Sequence, residues 1–132
     1  MKNNRIRKAI IIAVALSGVI LNAAYCIGFI KAFFDPQYNF AIRQILVSAI
    51  ILEFGWMSLL LWVVFKPFET RYILLFTIIP IFFGNILTGI NQLMDTPGNL
   101  GAFVTNMIFG LLYSGLYFFA YSLGKPVESS QP

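Results

Sequence analysis

Apolar residues along this chain gather into four long blocks, Ala9 to Phe34, Ala41 to Phe65, Tyr72 to Leu93 and Gly101 to Leu123, separated by short polar breaks. A helix of about 20 mostly apolar residues crosses a hydrocarbon core of ~30 Å, and each block reaches that length. The pattern predicts an all-α integral membrane protein whose four transmembrane helices form an antiparallel bundle. What lies outside the blocks is a basic head (Met1 to Lys8), three short connections and a polar tail from Gly124 to Pro132, expected to be disordered. On this reading residues 1–123 form one transmembrane domain, and any chemistry happens within the membrane or at its edge.

The breaks carry the chemistry of tight turns. Lys66-Pro67-Phe68-Glu69-Thr70-Arg71 joins spans two and three, and Pro67 ends the second helix because it has no N–H to donate and clashes with the preceding turn. Spans two and three are therefore expected to pack as antiparallel neighbours. The other two connections, Asp35-Pro36-Gln37-Tyr38-Asn39 and Asp95-Thr96-Pro97-Gly98-Asn99, hold turn formers in similar order, 60 residues apart. A duplicated hairpin would give that offset. Identity does not extend into the flanking helices, so shared turn chemistry is the simpler reading.

Composition agrees with the blocks. Of 132 residues 59% are hydrophobic and 11% charged, with a mean hydropathy of +0.83. A soluble domain carries roughly a quarter charged residues. Charge placement then predicts orientation. Lys2, Arg5, Arg7, Lys8, Lys66, Arg71 and Lys125 fall on one side of a four-span bundle, and only Lys31 and Arg43 on the other, near helix ends where they can snorkel. Basic residues are retained in the cytoplasm, so both termini are expected there, in a cell (inner) membrane. A basic head, an apolar run and the small residues Ala23 and Ala24 are also the ingredients of a cleaved signal peptide. The apolar run continues through Phe34, past the length of a signal core, so the first span is expected to stay.

Polar groups inside the spans are the candidates for function, since each is costly in hydrocarbon unless it finds a partner. Glu53 lies midway between Ala41 and Phe65. An ionised carboxylate there costs several kcal/mol, so it is expected to be protonated, paired or facing water. No other span holds a mid-depth charge, which leaves Asn22, Asn85 and Tyr113 as neutral partners. At 100° per residue, Thr77, Ile81, Asn85, Thr88 and Gln92 share one stripe of span three, and Asn106, Gly110, Tyr113, Tyr117 and Tyr121 share one of span four. Span one adds Gly18, Asn22 and Cys26, so a polar core around Glu53 is predicted. Interhelical glue is the favoured reading of the asparagines, threonines and tyrosines, and Gly110 with Ser114 suits close helix approach, within the chain or between chains. Gln would serve as glue without an ionisable group, so Glu53 retains a functional reading.

Other residues have structural explanations. Pro80 removes one backbone bond of span three and is expected to kink it. Trp62 suits an interfacial belt, Trp56 is placed to wall the Glu53 site, and the lone Cys26 is read as a packing residue. Without histidine, bis-histidine haem ligation, the usual zinc sites and a Ser-His-Asp triad are excluded, and no phosphate loop or paired carboxylates are visible. No enzyme activity, cofactor, metal or nucleic-acid partner is expected; the expected partners are the bilayer and either further copies of the chain or another membrane protein. In architecture alone the chain resembles the small multidrug resistance transporters, short four-span proteins that act as dimers around one membrane glutamate. That glutamate lies on the first span, whereas here span one has Asn22 at mid-depth, so no residue role carries over. Two functions stay open: a non-enzymatic accessory or anchoring subunit, and a proton-linked carrier of a small solute or ion that uses Glu53 and acts as an oligomer.

Overall fold

A computed structural model describes residues 2–95 and 100–124, without the side chains of Lys2, Asn3 and Asp95. Four helices account for nearly all of it: α1 (Lys2–Phe33), α2 (Phe40–Phe65), α3 (Tyr72–Asp95) and α4 (Leu100–Leu123). All four are long and apolar enough to cross a membrane, and no strand occurs among the described residues. The chain is a small multi-pass helical membrane protein. α1 starts at Lys2, ahead of the apolar block, because hydropathy marks the part of a helix that contacts lipid and not where its hydrogen bonding begins. The connection at 96–99 and the tail at 125–132 lie outside the described residues, and with them the comparison of the two similar connections.

The ends of the elements follow from local chemistry. Asn39 caps α2, its Oδ1 accepting from the Ile42 N–H at 3.0 Å. In the same connection Asp35 Oδ1 accepts from the Gln37 N–H at 3.0 Å, an Asx turn. At the other end of α2 the Lys66 N–H donates to the Trp62 carbonyl, and the Thr70 hydroxyl donates to the Lys66 carbonyl at 2.8 Å. Pro67 is buried beneath this turn. α3 continues through Pro80 to Asp95.

The helices associate as two hairpins, α1 with α2 and α3 with α4. Within each, small residues let the backbones approach. Cys26 of α1 lies against the Ile50 carbonyl of α2; Gly89 of α3 faces Phe103 and Asn106 of α4, and Gly110 of α4 faces Asn85 of α3. Between the hairpins α1 meets α4 over a shorter stretch, and α2 touches α3 only slightly. Sequence reasoning expected α2 and α3 to pack as neighbours. They are adjacent, yet an apolar groove of about 480 Å³ lined by Trp56, Leu59, Ile73, Phe76, Ile79 and Pro80 separates them. A short connection fixes only one end of a helix pair, and the residues facing this groove are bulky, with no Gly or Ala to permit close approach.

The shared core sits in one half of the bundle, at the end that holds Lys66 to Arg71 and Gly124. Its fully buried members are Ile11 and Ala15 of α1, Leu60 and Val63 of α2, Leu74 of α3, and Tyr117 and Ala120 of α4. Gly18 completes it, since a Cβ there would meet the Tyr117 hydroxyl and stand 2.8 Å from Leu60 Cδ1. Ser17 Oγ, on the neighbouring position of α1, donates to the Val14 carbonyl at 2.7 Å.

Candidate functional site

Beyond the Gly18, Leu60 and Tyr117 layer, toward the end holding residues 34–39, the hairpins share no fully buried residue among those described. The three buried positions there, Cys26, Gly89 and Gly110, each pack inside their own hairpin. α1 shows the change along a single stripe. Ile11, Gly18 and Tyr25 recur every seven residues on one face; Ile11 and Gly18 are buried, while Tyr25 is 52% exposed. On α3, Thr77 is buried, and Thr88 and Gln92, further along the same stripe, are exposed.

Glu53 lies at the start of this half of the bundle. It is seven residues, about 10 Å, from Leu60 on the same face of α2, and it is half-buried where Leu60 is wholly buried. The contacts of Cys26 with Ile50 and of Gly18 with Leu60 set the register of the first hairpin and put Asn22 within a turn of Glu53 in depth. The pairing of Gly18 with Tyr117 likewise places Tyr113 near the depth of Asn22, and Asn85, opposite Gly110, lies about one turn beyond. All four side chains are partly exposed and lie at similar depth.

The structure does not join them by hydrogen bonds among the described residues. Asn22 Nδ2 donates to the Gly18 carbonyl at 2.7 Å, and Asn85 Nδ2 to the Ile81 carbonyl at 2.8 Å, each within its own helix. Tyr113 packs on the edge of the shared core. Glu53 has no hydrogen bond or ion pair among the described residues. The polar pair that does form across the second hairpin is Asn106 Nδ2 to Gln92 Oε1, at 2.9 Å. Trp56, expected to wall the Glu53 site, lines the α2–α3 groove instead, because three residues turn a side chain about 60° around the helix.

Sequence reasoning missed the closure at the basic end. Arg7 Nε donates to the Leu123 carbonyl at 2.6 Å, and Arg71 donates to the Gly124 carbonyl while lying against the rings of Tyr72 and Tyr121, 5.1 and 5.8 Å from their centroids. Both arginines meet the C-terminus of α4, where unpaired carbonyls and the helix dipole favour positive charge. Residues read as determinants of orientation thus also tie α1 and α3 to α4. At the opposite end Arg43 folds over its connection, donating to the Asp35 carbonyl at 3.3 Å. Among the described residues no three His, Cys, Asp or Glu side chains gather where a metal could bind. The chain matches no known family pattern, no curated protein and no solved structure.

Proposed function

We propose that this protein is a non-enzymatic subunit of a membrane assembly, with both termini in the cytoplasm, whose separated half receives helices of another chain. The observation that carries the reading is Glu53: a half-buried carboxyl midway along α2, with no partner among the described residues, in the half of the bundle where the hairpins share no fully buried residue. Lipid tails around it could not satisfy it. Low burial points the same way. Only 28% of the most apolar stretch of α1, and 11%, 17% and 11% of those of α2, α3 and α4, is buried in the single chain. Isolated from its own membrane in mild detergent and in lipid discs, the protein is expected in a particle larger than one chain. A monomer in both overturns the proposal.

A second reading is favoured by the closure of one end. An opening that stops at Gly18, Leu60 and Tyr117 is what a path open to one side of the membrane requires, and water at Glu53 would make the chain a proton-linked carrier that works as an oligomer. The readings separate on Glu53→Gln. A subunit that uses the carboxyl for assembly loses association, whereas a carrier assembles, folds and loses transport. Orientation is tested in a Cys26→Ala background. A cysteine at Gln37 is expected to react with an impermeant thiol reagent from outside, and one at Thr70 is not; the reverse result overturns the placement of the termini.

A further inference from the structure

We propose that the opening beside Glu53 is completed by a transmembrane helix of a different protein that carries a lysine or arginine at mid-membrane depth. This rests on the subunit reading and names the chemistry of the partner. The helix must enter between the hairpins from the side where Tyr25, Thr88 and Gln92 are exposed, and its depth is set by Glu53, which stands about 10 Å short of the closed Gly18, Leu60 and Tyr117 layer. A carboxyl in hydrocarbon is stabilised most by an opposite charge brought to the same depth. The surrounding amides carry no charge to offer, and Asn22 and Asn85 each direct one N–H at their own helix.

A second copy of this chain cannot supply the cation. Every lysine and arginine lies near a span end or outside the spans. Lys31, the nearest to mid-depth on the open side, falls about eight residues beyond Glu53 in the register set by Cys26 and Ile50, or about 12 Å along the axis. Arg43 is further out and is held at the Asp35 carbonyl and over the Phe33 ring. Whether copies associate parallel or antiparallel, mid-membrane depth meets mid-membrane depth, where this sequence has Glu53 and no base. Charge complementarity therefore selects a heterologous helix.

The test uses the full chain in phosphatidylcholine vesicles and a leucine-rich transmembrane peptide of about 20 residues with one central lysine. Association is read by energy transfer between fluorophores on the two. The lysine peptide is expected to bind about tenfold tighter than its all-leucine counterpart, in line with one polar interhelical contact. Moving the lysine two turns toward either end is expected to remove the preference with the protein unaltered, so this arm does not depend on a variant folding. Glu53→Gln, its fold checked by circular dichroism and thermal unfolding, is expected to bind both peptides alike, and Glu53→Lys to prefer a glutamate-centred peptide. Equal binding of the lysine and leucine peptides by the parent chain overturns the proposal. So does disulfide cross-linking between copies through a cysteine placed at Tyr25 in the Cys26→Ala background, which would put a second copy in the opening. If the peptides bind equally while the native particle remains larger than one chain, the charge pair is wrong and the subunit reading stands.

Discussion

The two halves of this bundle are made of the same kinds of residues and do different things. At the basic end all four helices contribute to one core, Gly18 admits Tyr117, and Arg7 and Arg71 tie off the last carbonyls of α4. At the other end each hairpin packs on itself, and the stripes that would have formed a common core present Tyr25, Thr88 and Gln92 to the surroundings. Hydrophobicity does not distinguish the halves, because lipid tails are as apolar as leucine and provide no force between helices. Shape and hydrogen bonding do. Between its hairpins the closed half has a glycine opposite a tyrosine and a carbonyl opposite an arginine, whereas the open half has a carboxyl with no partner among the described residues.

By that contrast, stability resides in the closed half. Tyr117→Ala is expected to cost the most, about 3–5 kcal/mol, since it empties a wholly buried aromatic site, and reversible unfolding in lipid discs would measure it. A loss under 1 kcal/mol would mean the shared core does not hold the hairpins together. A matched pair of glycine changes sharpens the point. Gly18→Ala drives a Cβ into the Tyr117 hydroxyl and Leu60 and is expected to cost about 1–3 kcal/mol. Gly28→Ala, with open space around it, is expected to be neutral or to stabilise by up to about 1 kcal/mol. Similar melting temperatures for the two variants would contradict the difference between the halves.

Arg7→Gln removes a charge-assisted bond to the α4 terminus and is expected to cost about 1–2 kcal/mol, with the loss showing first as wider spacing between spin labels on α1 and α4 at the basic end. An unchanged distance distribution would reduce Arg7 to a determinant of orientation. The smallest effect is expected in the open half: Gln92→Ala breaks the exposed bond to Asn106 for about 0.6 kcal/mol. A larger loss measured by the same unfolding assay would show that this end is packed more firmly than its exposure implies.

How much of this could be read from the chain depends on the distance over which each feature is decided. The four helices, the turn at Asp35 to Asn39 and the stop at Pro67 are local, and the sequence shows them. The inward stripes were also legible, because helical geometry fixes which residues share a face. Their meaning was not. Tyr117 read as one member of a polar stripe, and its place against Gly18 depends on the register between α1 and α4, which no run of either helix encodes. Gly110, which suited close helix approach, is used inside the chain against Asn85. Arg7 and Arg71 were legible as charges, and their carbonyl partners lie 116 and 53 residues away in the chain.

By itself the sequence determined that this chain belongs in a membrane, as four helices, with one carboxyl at mid-depth. Those facts follow from the cost of exposing apolar surface to water and polar backbone to lipid, and each is evaluated residue by residue. Only the tertiary structure decided that the helices pair as two hairpins, that the pairs join at the basic end and part at the other, and that Glu53 meets no partner among the described residues where they part. In lipid the hydrophobic effect no longer chooses neighbours, so the choice passes to steric fit and to single hydrogen bonds, which come into being only when distant segments meet.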